Sequence, residues 1–175
     1  MIKKILVPTD GSDHANKAID LAADLAGKYQ AEVVLLHVLL QHTSVYDLKV
    51  LAEKYGAGKD TIDKLDEVSE AIIEASSAGY GGPISLPAPI EAVRAIGDAI
   101  CGNALERVKS KSVDKVKASV VGGSAADAIL EAADAEGVDM IVMGSRGLGK
   151  LADMLMGSVS HKVSHHCKVT CVTVK

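Results

Sequence analysis

The sequence predicts an α/β fold: a single doubly wound domain with a five-stranded, mainly parallel sheet and helices on both faces. Short runs rich in Val, Ile and Leu recur along the 175 residues, and the first four are nearly continuous rather than alternating. Such runs are typical of parallel strands that are covered by helices on both faces. Segments with a helical spacing of apolar residues lie between the runs, as a doubly wound sheet requires.

The predicted elements alternate along the chain. The apolar runs predict five strands, at residues 5–7, 32–40, 116–121, 139–143 and 169–174. A helix is predicted over residues 14–29, where an alanine-rich face recurs at helical spacing. A second helix begins at Ser124 and stops at Gly137, which are suitable capping residues, and a third covers residues 157–166.

The middle of the chain, residues 41–115, is predicted to be a long insertion of helices and loops within one domain that spans 1–175. Residues 60–77 and 91–110 have helical periodicity. A stretch rich in Gly and Pro at residues 78–83 lies between them and predicts a loop or a helical-hairpin connection.

Composition and charge argue against several classes of function. A net charge of −4 and an aromatic content of 2% argue against nucleic-acid binding, which needs cationic surfaces and, for single strands, stacking side chains. The most apolar run, at residues 33–40, is interrupted by His37 and is too short to span a membrane. The three cysteines are odd in number and form no CxxC pair, so we expect reduced thiols in a cytoplasmic protein.

A glycine-rich loop follows the fourth predicted strand. Glycines occupy positions 144, 147, 149 and 157, and a predicted helix begins directly after the last of them. Glycine lets a backbone approach a ligand closely and turn its N–H groups toward one point. A helix N-terminus adds free N–H groups and positive partial charge, so the segment predicts a phosphate-binding site.

Two common phosphate-binding motifs are incomplete in this loop. The P-loop spacing that starts at Gly144 is present, but Leu151 stands where a Ser or Thr would hold Mg²⁺. The dinucleotide pattern that starts at Gly147 lacks the acidic ribose-binding residue expected about 20 positions later. Taken alone, the loop leaves open the alternative that its glycines form only a surface turn.

The spacing Gly144-x2-Gly147-x9-Gly157-Ser158 resembles the nucleotide-binding signature of the universal stress protein family. The opening strand and turn, and the strand before the glycine loop, are similar to that family as well. The resemblance covers about residues 1–40 and 113–175. It implies an adenine-nucleotide α-hydrolase-like fold and ATP, ADP or AMP as the ligand, and it leaves open whether Mg²⁺ accompanies the nucleotide.

The resemblance also implies roles for the matched residues. On the adenine side, Asp10 would accept hydrogen bonds from the base, with Pro8 and Thr9 shaping the wall beside it. Val38, at the end of the second strand, would meet adenine through its backbone. On the ribose and phosphate side, the implied binding residues are Met143, Gly144, Arg146, Gly147, Gly157, Ser158, Val159 and Ser160.

The implied function is that of a regulatory protein of the stress response that binds an adenine nucleotide and hydrolyses it slowly or not at all. The alternatives are a nucleotide-free stress protein that acts through protein contacts and a weak ATP-hydrolysing enzyme. We predict no catalytic residue, because the loop offers Asp153 as its one carboxylate and no positioned base for water.

Two further features concern metal binding and assembly. His161 and His165 have a spacing that suits a metal, but we interpret them as part of an ordinary amphipathic helix and predict no metal site. The last predicted strand, 169–174, alternates and suits an exposed sheet edge. The family resemblance implies a homodimer through this strand.

Overall fold

A computed structural model describes residues 1–40, 43–77, 84–149 and 156–175. Two compact units are present, one of Met1–Leu39 with Ile100–Lys175 and the other of Leu40–Ala99. In chain order, the elements are β1 (Lys4–Pro8), α1 (Asp13–Tyr29), β2 (Glu32–Val38), α2 (Val45–Tyr55), α3 (Lys59–Ser77), α4 (Ile90–Lys109), β3 (Val116–Val121), α5 (Ala125–Glu136), β4 (Met140–Gly144), α6 (Ser158–His166) and β5 (Thr170–Val174).

The first unit contains one five-stranded sheet in the order β3-β2-β1-β4-β5, and every neighbouring pair is parallel. Helices lie on both faces of this sheet, so the predicted fold class is confirmed. The predicted strand positions agree with the structure to within about two residues, which is the usual uncertainty of element ends.

Alternate residues of the strands supply two separate apolar cores. Ile5 and Val7 of β1 face α1 and the part of α4 from residue 100 onward, where alanines of α1 allow close packing. Leu6, between them, faces the opposite side, where the core is built with α5 and α6. This alternation follows from the period of two along a strand, and it leaves the central strands buried on both faces.

The structure corrects one prediction about the sheet. β3 was expected to be buried on both faces, but its residues Lys117, Ala118 and Ser119 are exposed. Among the described residues β3 is an edge strand that pairs with β2 alone, and the Lys117 ammonium group forms ion pairs with Glu32 and Glu136. A lysine on an edge strand is a common way to block unwanted strand pairing.

Asp139 fixes β1 beside β4. Its Oδ2 atom accepts hydrogen bonds from the backbone N–H groups of Lys3 at 2.6 Å and Lys4 at 3.0 Å. These two bonds, that from Lys3 first, hold the pKa of the Asp139 carboxyl below its usual value. The register that follows places Ile5 opposite Met140, so the two strands end close together at their carboxyl ends.

The second unit contains α2, α3 and the first half of α4. The helices predicted at 60–77 and 91–110 are confirmed, whereas α2 was not predicted. The Ser44 side chain caps α2 by accepting a hydrogen bond from Asp47 N at 3.1 Å, and Gly56 ends the helix in the left-handed conformation. The predicted loop at 78–83 lies outside the described residues. None of the helices in the described part of the chain combines the length and apolarity needed to cross a membrane.

Candidate functional site

The strand order reverses between β1 and β4, because β2 lies beyond β1 and β5 lies beyond β4. The carboxyl ends of parallel strands at such a switch point form the crevice where doubly wound proteins bind their ligands. β1 ends at Pro8, β4 ends at Gly144, and Val38 ends the neighbouring strand β2 at the same edge. The predicted adenine and phosphate residues therefore flank one crevice.

Asp10 ties the turn after β1 to the loop after β4. Its Oδ1 atom accepts a hydrogen bond from Ser12 N at 3.0 Å, and its Oδ2 atom accepts one from Leu148 N at 3.1 Å. Asp10 and Leu148 are 138 positions apart in the chain, so this carboxylate links the turn after β1 directly to the glycine loop. Each carboxylate oxygen has about two lone pairs, which leaves acceptor capacity for a ligand.

The contact between Asp10 and the loop requires a glycine at position 147. A Cβ atom at position 147 would overlap Asp10 Oδ2, so a side chain there would displace the carboxylate. Gly149, two residues further along the same loop, has no heavy atom of the described residues within 4 Å of the Cβ position. The two glycines thus differ: the first allows the loop to close onto Asp10, and the second has no such contact with the described part of the chain.

Gly144 serves the packing of the scaffold. A Cβ atom there would lie 2.9 Å from His14 C, His14 Cβ and Ala15 N, so the end of β4 touches the first turn of α1. The neighbouring Met143 side chain is buried in the core on the α5 and α6 face. Met143 was predicted to lie beside the ribose. Because its side chain is buried, it can offer only its backbone to a ligand.

Ser145 joins the three elements around the crevice. Its N–H donates to Val174 O at 2.7 Å, and its Oγ atom lies 3.1 Å from His14 Nδ1 in a hydrogen bond. Its carbonyl oxygen accepts hydrogen bonds from Gly157 N at 2.7 Å and Ser160 Oγ at 2.7 Å. Ser145 was not among the predicted binding residues, and its hydrogen bonds place it in the scaffold that supports them.

The N-terminus of α6 faces the same edge. Gly157 is the N-cap residue, and no side chain in the described part of the chain caps the helix. The first N–H groups of a helix, here those of Ser158, Val159 and Ser160, lack partners within the helix and favour an anion. The Ser160 hydroxyl is buried and donates within the loop, so we assign it no direct contact with a ligand.

Other predicted positions complete the outline of the crevice. Ser158 is exposed, Arg146 is half-buried and Val159 is partly packed against the core beneath α6. The residues that join the glycine loop to α6, at 150–155, lie outside the described residues. The position of Lys150, which the incomplete P-loop match includes, is therefore not described.

The wall after β1 is held by a histidine. Thr9 is buried, and its N–H donates to Leu36 O at 2.8 Å. Its carbonyl oxygen lies 2.9 Å from Nδ1 of the fully buried His37. Because a carbonyl oxygen only accepts, this ring nitrogen carries the hydrogen and donates it. His37 therefore fixes the Pro8–Thr9 backbone.

The histidines of α6 contact one another. The His161 and His165 rings stack with their centroids 6.3 Å apart, and His166 meets His165 edge-on. Within the described ranges, no group of three or more His, Cys, Asp or Glu side chains is placed to hold a metal ion.

An all-parallel sheet whose strand order reverses between β1 and β4 defines a doubly wound α/β protein, and its glycine loop meets the start of α6 at that reversal. The chain belongs to the universal stress protein family, whose model matches residues 1–175.

Three known proteins illustrate the relationship. Universal stress protein YxiE of Bacillus subtilis is 33% identical over 168 residues, which cover 94% of this chain and 93% of YxiE. A universal stress protein solved in complex with cAMP is 21% identical with a TM-score of 0.59, covering 99% of this chain and 96% of that one. A universal stress protein from Archaeoglobus fulgidus in complex with dAMP is 20% identical with a TM-score of 0.56, covering 100% of both chains.

Proposed function

We propose that this chain binds an adenine nucleotide in the crevice between β1 and β4 and acts as a regulatory protein of the stress response. The observation that carries the proposal is the closure of the glycine loop onto Asp10, which brings an acceptor for the base and donors for phosphate to one edge. Asp10 and the Pro8–Thr9 wall form the adenine side. Arg146, Gly147 and the start of α6 form the phosphate side.

The solved relatives support the adenine base as the shared part of the ligand. One was solved with cAMP and the other with dAMP, and both ligands are adenine nucleotides. Phosphate at the N-terminus of α6 fits the general preference of such ends for anions. ATP is the form we favour for this chain, with ADP and AMP as the alternatives, because the loop and the helix start offer several N–H groups to a phosphate chain.

Slow or absent hydrolysis is part of the proposal. Hydrolysis requires a group that orients water and charge that stabilises the transferring phosphoryl group. The Asp10 carboxylate accepts two backbone N–H groups, and the proposal assigns its remaining acceptor capacity to the adenine base, so we do not assign it to a water molecule at the phosphates. We expect the rate of phosphate release to lie far below the roughly 10 s⁻¹ of a median enzyme.

The direct experiment is to denature the purified protein and to identify any released nucleotide by chromatography. The stripped and refolded protein is then titrated calorimetrically with ATP, ADP, AMP and GTP, with Mg²⁺ and with EDTA. Binding of the adenine nucleotides in preference to GTP supports the proposal. If no adenine nucleotide binds, the result would favour the alternative of a nucleotide-free protein that acts through protein contacts.

Asp10→Ala is expected to weaken ATP binding more than GTP binding. The substitution removes the acceptor for the adenine edge, and a hydrogen bond to a charged group is worth about 1.5–3 kcal/mol. It also removes the acceptor of the Leu148 N–H group and so frees the loop from position 10, which should weaken the binding of every nucleotide to a similar extent. The ratio of the ATP and GTP dissociation constants separates the two effects, and an unchanged ratio would reduce Asp10 to a loop anchor.

We further propose that two copies associate through β5. This strand forms one edge of the sheet and pairs only with β4 among the described residues. An open edge presents unpaired N–H and C=O groups to a second strand. Sedimentation-velocity measurements over a range of concentrations should show a dimer, and a monomer at the highest concentration would exclude this assembly.

A further inference from the structure

Two histidines lie one turn apart on the outer face of α6. His161 and His165 are both exposed, whereas Ser160 and Val163, which belong to the inner face, are buried. Side chains four positions apart lie one above the other on a helix. The planes of the two imidazole rings differ by 5°, and the ring centroids are 6.3 Å apart. The pair therefore presents its ring nitrogens together at one place on the surface.

The ring nitrogens of this pair are available to a ligand. In the part of the chain that the structure describes, neither the His161 ring nor the His165 ring forms a hydrogen bond. The third histidine of the helix differs, because His166 Nδ1 donates to Lys162 O at 2.8 Å. Its position also lies about 100° around the helix from that of His165. The pair of His161 and His165 is thus distinct from its neighbour in both direction and bonding.

The charges around the pair permit a cation. Lys162 and Lys168 are the nearest ammonium groups in the sequence, and each forms an ion pair with a carboxylate of α5. Lys162 Nζ lies 2.6 Å from Asp127 Oδ1, and Lys168 Nζ lies 2.6 Å from Asp134 Oδ2. The C-terminal end of a helix carries negative partial charge, which favours a cation in its last turn. His165 lies in that last turn of α6.

We propose that His161 and His165 chelate one divalent transition-metal ion, with water completing its coordination shell. Imidazole nitrogen is a preferred ligand of Cu²⁺, Ni²⁺ and Zn²⁺, and Cu²⁺ binds such ligands most tightly. Zn–N bonds are about 2.0–2.1 Å long, so the two rings must approach each other by roughly 1 Å. Both side chains are exposed and can rotate to do so.

This proposal revises the prediction made from the sequence. No metal is predicted there because no third ligand has a recognisable spacing from the two histidines. Two nitrogens on adjacent turns of one helix already form a chelate, however, and Cu²⁺ and Ni²⁺ accept water or other oxygen ligands at the remaining positions. The proposed site does not depend on nucleotide binding.

The test is a calorimetric titration of NiCl₂ into the full-length, untagged and nucleotide-free protein. Ni²⁺ is the probe because it binds imidazole without oxidising the cysteine thiols, as Cu²⁺ would. We expect one Ni²⁺ ion to bind per chain. The Tm should rise with the Ni²⁺ concentration, because the chelate forms only when α6 is folded. Mg²⁺ prefers oxygen ligands and should produce neither effect.

Single variants test the chelate. His161→Gln and His165→Gln should each weaken Ni²⁺ binding by about tenfold or more, because one imidazole cannot chelate. The double variant should bind about as weakly as either single variant, since each substitution alone already removes the chelate. The matched control, His166→Gln, should stay within about twofold of the wild type, because position 166 lies on another side of the helix.

A second control keeps the number of histidines and changes their spacing. His161→Gln combined with Ser164→His places two histidines at adjacent positions, which do not face each other on a helix. Ser164 is exposed, so the surface can accommodate the larger side chain. This variant should bind Ni²⁺ as weakly as His161→Gln. The absence of saturable Ni²⁺ binding to the wild type, an equal loss in His166→Gln, or wild-type affinity in the respaced variant would each overturn the proposal.

Discussion

Gly147→Ala is expected to weaken ATP binding by roughly 10- to 100-fold. The new Cβ atom would overlap Asp10 Oδ2, so the carboxylate must move and its hydrogen bond with Leu148 N must lengthen or break. Losing a hydrogen bond to a charged group costs about 1.5–3 kcal/mol, and each 1.4 kcal/mol is about a tenfold change in affinity. Calorimetric titration of the nucleotide-free protein measures the change.

Gly149→Ala is the matched control for this prediction. It places the same side chain in the same loop, but its Cβ atom would meet no heavy atom of the described residues within 4 Å. We expect its affinity for ATP to stay within about twofold of the wild type, which corresponds to less than ~0.5 kcal/mol. Equal losses for the two variants would show that the loop responds to any side chain and that the contact with Asp10 has no special role.

A double-mutant cycle tests whether the loss of ATP affinity in Gly147→Ala comes from the contact with Asp10. In an Asp10→Ala background the Oδ2 atom is absent, so the alanine at position 147 should cause little further loss of affinity. Residues in contact typically show interaction free energies of about 0.5–3 kcal/mol in such cycles. If the losses of affinity in the two single variants are additive, the effect of Gly147→Ala does not act through Asp10 and has another cause, for example a direct clash with phosphate.

Most of the architecture was accessible from the sequence because the signals for it are local. Continuous apolar runs mark the buried strands, and capping residues such as Ser124 and Gly137 mark the ends of α5. α2 was missed even though it carries the same kind of signals. Ser44 precedes an acidic residue in its first turn and Gly56 follows its last turn, but only four of its eleven residues are buried, so the apolar pattern is weak.

The exposure of β3 was only partly predictable from its own residues. Lys117 and Ser119 interrupt its apolar residues and are compatible with exposure, but the order of strands is what places β3 at an edge. Strand order depends on which elements meet across the sheet, and that information is not local. The same limit applies to β5, although its alternating pattern did indicate an edge.

At the site, residue types were easier to predict than contacts. The glycine spacing and Asp10 pointed to one crevice, and the switch point between β1 and β4 brings them to the same edge. The sequence did not reveal that Asp10 binds the glycine loop itself, or that Ser145 links α1, β5 and α6. These contacts join positions more than 100 residues apart, or depend on loop geometry that propensity does not encode.

Gly144→Ala is expected to destabilise the protein by about 3 kcal/mol, at the upper end of the usual cost of overpacking a core. The added Cβ atom would lie 2.9 Å from His14 C and Ala15 N, which are backbone atoms in the first turn of α1 and cannot rotate away. The end of β4 and the start of α1 must therefore separate. For a chain of this size, 1 kcal/mol corresponds to roughly 2–4 °C in Tm, so thermal unfolding should shift downward by about 6–12 °C.

Gly27→Ala, in the helix that Gly144 touches, is expected to change stability in the opposite direction. Gly27 is exposed within α1, and no heavy atom of the described residues lies within 4 Å of its Cβ position. Alanine is favoured over glycine in a helix interior by about 0.5–1 kcal/mol, so this variant should melt above the wild type. A Gly144→Ala protein that melts at the wild-type temperature would show that β4 and α1 have room between them. Packing between β4 and α1 would then not explain the glycine at position 144, and we would assign Gly144 to the ligand site instead.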